Sequence, residues 1–541
     1  MPNATLPAPR PAPAIRIARS LLLAATTLPS LAAAQSSIAP PPSFDDPDRL
    51  GKLTRAIPAV DSVMRAFMTR SRVPGIAYGI IVDGRLLHVA AHGIRHLPDS
   101  ARVDTSSVFR IASMTKSFTA LAILQLRDAG TLSLDDPAER YVPELRQLRY
   151  ATTDARHITV RDLLSHAAGF PEDNPWGDQQ LDASDDDLAR MIRSGIPFSN
   201  TPGVAYEYSN FGFAILGRII VNVGGMPYAR YIREKVLLPL GMTSTTMEAR
   251  TVPPTRLAHG YRLQDGRWLE EPPLADGSFG AMGGMLTSSA DLSRWVGLML
   301  SAWPARDGAE SPVLKRSSLR EMQQIWRFAG ATASQSTAGA LSLNAGGYAY
   351  GLRVAQTCLF NQIVSHSGGL PGFGSQMRWL PEQGVGIIAL GNLTYTGWGA
   401  PLDAAFDVLA KSGGLTARTV RPSPVLTAMQ GKVTRLVTDG WAQPLADSIA
   451  AMNLYRDESG VRRGAAIARL VQAAGGNCRP DGALWAENAL RGEWKLACST
   501  GALRVRITLA PTEPARVQEF GVFPMPADAR VGAAPVCRQP S

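Results

Sequence analysis

The chain is poor in the side chains that most often hold metals: its 541 residues include four cysteines and seven histidines, the histidines are scattered, and no cysteine pair has ligand spacing. No metal centre is therefore expected from spacing. There is no phosphate-cradling glycine loop and no dinucleotide fingerprint, so the common nucleotide-dependent classes are set aside and no cofactor is implied. Arginines are dispersed, and no basic stripe with interleaved aromatics points to nucleic acid. The apolar stretch near the N-terminus is too short to be a membrane span, and no other uninterrupted apolar run is long enough to cross a bilayer, so no stable membrane insertion is expected.

What the chain does contain is three short motifs in a fixed order. The first, Ser113-Met114-Thr115-Lys116, heads an apolar run in which Phe118, Leu121, Ala122, Leu124 and Gln125 recur at helical spacing before Ala129-Gly130 closes it. Residues three apart share a helix face, so this spacing brings the Ser113 hydroxyl within reach of the Lys116 amine. A serine hydroxyl is a poor nucleophile until a base removes its proton, and lysine is such a base only where burial or a nearby cation lowers its pKa. At a helix start the Ser113 N–H can also hold a developing oxyanion. Taken singly, the tetrapeptide is also an ordinary polar helix face.

The second motif, Tyr208-Ser209-Asn210, precedes Phe211, Phe213, Ile215, Leu216, Ile219 and Ile220, so Ser209 or Asn210 reads as the N-cap of a buried helix. Tyr208 then lies in a loop just outside that helix. There, a phenol whose pKa is lowered by an adjacent ammonium can take a proton from Ser113 and return it to a leaving group. The third, His366-Ser367-Gly368-Gly369, leads into the strand-like Met377–Leu380 and Val385–Leu390 runs. Its two glycines allow a substrate backbone to approach, and the Gly369 N–H is a candidate second oxyanion donor. His366 serves either as a cation toward a substrate carboxylate or as a neutral donor.

With these motifs the chain, from about Asp61 to Leu409, resembles the penicillin-recognising serine hydrolases: class C β-lactamases, D-alanyl-D-alanine carboxypeptidases, D-aminopeptidases and family VIII esterases. Asp162–Gly169, Pro239–Thr243, Gly283-Gly284-Met285 with Thr287-Ser288, and Gly351-Leu352 add to the resemblance. It implies Ser113 as the acylated nucleophile and Lys116 and Tyr208 as its acid/base pair. It also implies that Asn210 and His366, with Gly368 and Gly369 beside them, contact the substrate. Where the β-lactamases of this group carry Lys-Thr-Gly, this chain has His-Ser-Gly, which looks more like the peptidase and aminopeptidase branches. His166 follows Leu163-Leu164-Ser165 and tempts a Ser–His dyad, but the resemblance puts this segment in the scaffold near the cleft.

The expected fold is α+β and β-lactamase-like, an antiparallel sheet flanked by helices with an all-helical region, over residues 51–415. The early segments Ala77–Val82 and Leu86–Ala90 flank Asp83-Gly84 as a hairpin that should pair with the later strands. The Gly/Ala/Ser/Thr-rich stretch 330–345 reads as a mobile loop bordering the cleft. Ser412-Gly413-Gly414 and Pro422-Ser423-Pro424 mark a boundary, beyond which 424–541 reads as a smaller accessory α+β domain with Leu503, Val505, Ile507 and Leu509 alternating along a strand.

Residues 1–34 carry Arg10, Arg16 and Arg19, an apolar stretch and Ala32-Ala33-Ala34, the pattern of a secretory signal, followed by a Pro-rich leader over 35–50. Its removal leaves 52 basic and 45 acidic residues, a net charge of +7. A secreted or periplasmic protein is expected, with Cys478 paired to Cys498, and Cys358 and Cys537 either bridged or free. The function expected is a serine hydrolase working through an acyl-enzyme on a D-amino-acid peptide or amide, such as a cell-wall peptide, or on a small ester. A β-lactamase and a non-catalytic penicillin-binding-like sensor are the alternatives. Oligomeric state is not legible.

Overall fold

Residue 36, residues 38–335 and 341–532, and Cys537 are described by a computed structural model; the expected signal segment, residues 1–34, lies outside them. In chain order come helix α1 (Arg49–Arg70), strands β1 (Gly75–Val82), β2 (Arg85–His96), β3 (Ala101–Arg102) and β4 (Val108–Arg110), and a short turn at Ala112–Met114 that runs into α2 (Thr115–Asp128). Helix α3 (Asn210–Gly224), the hairpin β5 (Tyr261–Gln264) and β6 (Arg267–Glu270), the single turn α4 (Gly280–Gly283), β7 (Leu286–Ser288) and α5 (Ser289–Ser301) follow. Strands β8 (Arg327–Gln335), β9 (Leu341–Tyr348), β10 (Arg353–Thr357), β11 (Ile363–Leu370), β12 (Phe373–Leu380) and β13 (Val385–Gly391) lead to α6 (Gly399–Lys411).

Nine strands form one antiparallel sheet in the order β3-β2-β1-β13-β12-β11-β10-β9-β8. Strand β1, Gly-Ile-Ala-Tyr-Gly-Ile-Ile-Val, is buried along its whole length, as an apolar run covered on both faces must be. Its two-residue period separates the layers. Ile76, Tyr78 and Ile80 pack with Leu53, Val60, Met64 and Phe67 of α1 and with Leu402, Phe406 and Leu409 of α6. Ala77 and Ile81 face the other way, toward Phe118 of α2 and Trp295 and Val296 of α5. The Asp83-Gly84 turn, both residues at positive φ, closes the expected hairpin, and β1 pairs Ile80 with Ile387 of β13.

Helix α3 is apolar apart from Arg218 and Asn222 beyond its first residue, and Phe213, Ile215, Leu216, Ile219 and Ile220 are buried in the same core as α2. That burial presses the two helices together behind the sheet. Among the described residues no single helix is long and apolar enough to cross a membrane; α3 and the bent segment Tyr228–Leu237 pass such a test only together.

Contacts divide the chain into two units, one built on Pro41–Arg421 and the other on Pro422–Val531. The smaller has helices α7 (Pro424–Thr438), α8 (Gln443–Ile449) and α9 (Gly460–Ala473) and an antiparallel sheet β14 (Arg479–Asn488), β15 (Arg491–Ala497), β16 (Ala502–Leu509) and β17 (Val517–Met525). Ser423 accepts the Leu426 N–H at 3.2 Å ahead of Pro424, an N-cap followed by proline at the first helical position. Leu503, Val505 and Ile507 are buried between half-buried Arg504 and Arg506. Cys478 is bridged to Cys498, and Cys358 to Cys537.

The stretch read as a mobile loop is different in the structure. Its described parts belong to the edge strand β8 and its neighbour β9, paired from Arg327↔Tyr348 to Gln335↔Leu341, with 336–340 outside the described residues. Strand β8 is almost wholly exposed, so backbone pairing rather than apolar alternation holds it, and small polar side chains gave no strand signal.

Gly351, at φ +66°, sits where a Cβ would come within 2.5 Å of the Lys116 carbonyl oxygen, whereas Gly130, at φ +75°, has open space around it. Left-handed backbone alone costs an alanine about 1–2 kcal/mol. Gly351→Ala should therefore lower the thermal unfolding midpoint well beyond the drop caused by Gly130→Ala. Equal shifts would show that the backbone of α2 is free to yield.

Candidate active site

The turn between β4 and α2 places Ser113. Ile111 N–H donates to the Met285 carbonyl at 2.9 Å, Thr115 Oγ1 donates to the Ala112 carbonyl at 2.7 Å, and Ala112 takes φ +48°. A non-glycine residue in that left-handed region persists only where its surroundings impose it. Strand β11 imposes it from one side: a side chain at Gly368 would meet the Ile111 carbonyl oxygen at 2.0 Å, and Ser375 Oγ donates to that same oxygen at 2.9 Å. The space expected to receive a substrate backbone over Gly368 is thus filled by the protein's own chain.

Lys116 is fully buried, and its Nζ lies 3.0 Å from Ser113 Oγ, 2.6 Å from Asn210 Oδ1 and 2.9 Å from the Met282 carbonyl oxygen. Burial lowers its pKa to about 7; Asp178, Asp173 and Glu172 pull it back up, and Arg353 pushes it down. The neighbours also fix where the neutral amine points. An amide oxygen and a carbonyl oxygen can only accept, so they take its two N–H groups. Ser113 O–H is the one of the three contacts able to donate into the remaining lone pair.

Asn210 is buried rather than presented to the cleft. Its Oδ1 holds Lys116, its Nδ2 donates to Asn174 Oδ1 at 2.6 Å, and its backbone N–H donates to Asp173 Oδ1 at 2.7 Å. Phe211 N–H donates to Asp173 Oδ2 at 2.8 Å, and Ser209 Oγ accepts the Gly212 N–H. Ser209 is thus the N-cap, and Asp173 adds a carboxylate where helix N–H groups lack partners. The substrate contact expected of Asn210 is replaced by a hold on the lysine.

Tyr208 hydrogen-bonds to Ser113, and its ring lies 5.0 Å from Lys116 Nζ. The expectation of an acidified phenol is overturned. Burial raises its pKa well above the ordinary value, and the opposing pulls of the Ser113 hydrogen bond and Arg353 are smaller. At neutral pH Tyr208 is a phenol.

His366 is neutral. It is 1% exposed, its Nδ1 lies 2.6 Å from the Ser367 carbonyl oxygen, and its Nε2 lies 2.8 Å from the Tyr348 hydroxyl. Nδ1 must carry the proton to bond a carbonyl, so Tyr348 donates to Nε2. Burial, with Lys116 and Arg353 nearby, drives its pKa far below the usual range. Of the two roles open to His366, the cation is removed. His166 accepts the Ser209 N–H at 3.1 Å through Nδ1 and packs its ring, tilted by 40°, 4.3 Å from that of Tyr208, a brace behind the phenol.

Ser113, Tyr208, His366, Ser367 and Gly369 line a cleft of about 450 Å³ together with Glu172, Asn174, Pro175, Asp178, Arg353 and Tyr395. A cavity of about 880 Å³ elsewhere, lined by Arg110, Tyr228 and Asp276 among others, contains none of these motif residues; convergence of chemistry rather than size locates the site. Asp178 accepts the Tyr395 hydroxyl at 3.0 Å, and burial raises its pKa. Glu172, Asp178, Arg353 and Tyr395 were not singled out from sequence. Arg353 had a signal, since it directly follows the Gly351-Leu352 pair; the others sit in irregular segments whose position depends on packing.

The fold and this convergence define a class. The sequence profile of the Beta-lactamase family matches residues 60–412, and the chain belongs to that family, whose members are typically serine hydrolases. Among individual relatives, Protein flp of Staphylococcus aureus (strain COL) is 29% identical over 336 residues, 62% of each chain. Penicillin-binding protein 4 of Amycolatopsis lactamdurans is 32% identical over 278 residues, 49% of this chain and 70% of that one. This chain thus spans 62% of the length of the Protein flp relatives. The solved structure of the octameric penicillin-binding protein homologue from Pyrococcus abyssi aligns with 87% of this chain and 96% of its own, at a TM-score of 0.54 and 21% identity, a likeness of fold.

An amine with a pKa of about 7 sets a pH profile. Below that value Lys116 is protonated and cannot accept the Ser113 proton, so labelling of Ser113 by a fluorophosphonate should fall about tenfold per pH unit on the acid side and level off above it. Lys116→Met should slow labelling about 10²–10⁴-fold and abolish the inflection. A rate flat between about pH 5 and 9 would remove Lys116 as the base.

Proposed function

We propose that this protein is a secreted serine hydrolase that works through an acyl-enzyme on a D-amino-acid peptide or amide. The observation that carries the reading is the Lys116 amine, buried, poised near neutrality and bonded so that its lone pair faces Ser113 O–H. Ser113 Oγ attacks the substrate carbonyl as its proton passes to Lys116. The N–H groups of Ser113 and Gly369 hold the oxyanion. Tyr208, a neutral phenol hydrogen-bonded to Ser113, relays the proton to the leaving amine, and water releases the acyl group by the reverse path. Asn210 holds the lysine, and neutral His366 supports the cleft floor.

The cleft's charges support a substrate with both ends ionised. Glu172 and Asp178 suit an ammonium, and Arg353 suits a carboxylate. A small ester passes through the same apparatus with a better leaving group. Penicillin-binding protein 4 carries penicillin in its name; for this chain a β-lactam is expected to acylate Ser113 and turn over slowly, because His366 brings no charge where Lys-Thr-Gly would bring one. Residues 51–415 are the catalytic domain in this reading, and 424–541 serve it as an accessory module. The two disulfides and the Arg-led apolar leader support secretion.

The test is a panel of D-alanine and L-alanine p-nitroanilides, p-nitrophenyl acetate and a chromogenic cephalosporin, run against wild type and Ser113→Ala. Hydrolysis of the D-anilide above the L-anilide, lost in Ser113→Ala, is the expected result. Turnover of the acetate alone would move the assignment to an esterase. Stable acylation of Ser113 by the cephalosporin, seen by intact mass, without turnover of any substrate would replace the enzyme by a sensor.

A further inference from the structure

A second cluster shares no residue with the lining of the cleft. His96, at the end of β2, and His259, just before β5, bring their rings to 4.0 Å, and Glu270, the last residue of β6, joins them. Each of the three offers a donor atom within 4.8 Å of the other two. Asp99 Oδ1 lies 2.9 Å from His96 Nδ1, and Glu270 Oε1 lies 2.7 Å from His259 Nδ1.

From these contacts we infer that His96, His259 and Glu270 form a binding site for a zinc-like divalent transition metal, independent of the Ser113 chemistry. Two imidazoles and one carboxylate are a donor set zinc accepts, with bonds of about 2.0–2.2 Å and a fourth position left open. A carboxylate on the far nitrogen of a ligating histidine orients its ring. Asp99 does that for His96, leaving Nε2 for the ion. Between His259 and Glu270 the ion takes the place of the shared proton.

The backbones beneath the cluster are already fixed. His259 N–H donates to the Arg95 carbonyl at 2.8 Å, and Leu97 N–H donates to the Tyr261 hydroxyl at 2.8 Å. The buried Asn392 amide donates to the Ile94 carbonyl at 3.1 Å and the His259 carbonyl at 3.0 Å, and Tyr261 faces Glu270 across the hairpin. A site on such elements needs only side-chain rotation to close. Strand β6 is exposed along its length and is tied down by the Trp268 Nε1–H bond to the Arg72 carbonyl; the metal adds a second tie, to the end of β2.

The chelator-stripped full chain is titrated with zinc chloride by calorimetry, and its histidines are footprinted with diethyl pyrocarbonate by mass spectrometry, with and without zinc. One saturable zinc per chain is expected, with His96 and His259 shielded while exposed His157 stays reactive. Thermal unfolding should shift upward with zinc in wild type and not in His96→Ala or His259→Ala, both still labelled at Ser113 by a fluorophosphonate. Asp99→Asn should weaken the ion about tenfold. The inference is overturned by no saturable binding, by equal modification of His96 and His259 with and without zinc, or by unchanged affinity in the two alanine variants. The footprint needs no variant to fold.

Discussion

The burial of one amine organises the candidate site. Lys116 is fully buried, so the hydrogen-bonding directions of Nζ must be met by the protein. Ser113 comes from the turn before α2, Asn210 from the first residue of α3, and Met282 from the single turn α4. Three segments distant in sequence are thereby held to one atom. The same dry surroundings that demand those partners bring the amine to about pH 7, so positioning and basicity have a common cause.

A layer of neutral aromatic and imidazole groups keeps that pocket dry. Tyr208, Tyr348, His166 and His366 touch one another through ring contacts and the Tyr348–His366 hydrogen bond. In each, burial favours the uncharged form. The charge balance near Lys116 is left to groups at the cleft, with Glu172 and Asp178 opposing Arg353. A neutral wall and a charged mouth divide the work: the wall sets proton affinity, and in the proposed function the mouth selects the substrate.

Much of this arrangement was legible, but in pieces. The three-residue spacing of Ser113 and Lys116, a cap at Ser209 or Asn210, the Asp83-Gly84 hairpin and the alternation of β16 are local signals, and the contacts they predict are present. One reading went the wrong way and another was narrowed, for one physical reason. Tyr208 was expected to be acidified by an ammonium and His366 was left free to carry a charge, yet desolvation outweighs the neighbouring charges at both. Gly368 and Asn210 were read as facing substrate; the Ile111 carbonyl and the Lys116 amine occupy those positions instead. Burial depth has no short-range signature, so a sequence shows which groups can meet and not how dry the meeting place is.

By itself, the sequence determined the helix that joins serine to lysine, the caps and turns around it, the apolar strands, and the family resemblance that the profile match over 60–412 bears out. These follow from backbone periods of two and 3.6 residues and from side chains acting on their near neighbours. Only the tertiary structure decided the proton affinity of Lys116, the neutrality of His366, the bridge from Cys358 to Cys537, the pairing of β8 with β9, and the meeting of His96 with His259. Each of these depends on groups far apart in the chain, brought together by the packing of two helical layers against one sheet and by the water that packing removes.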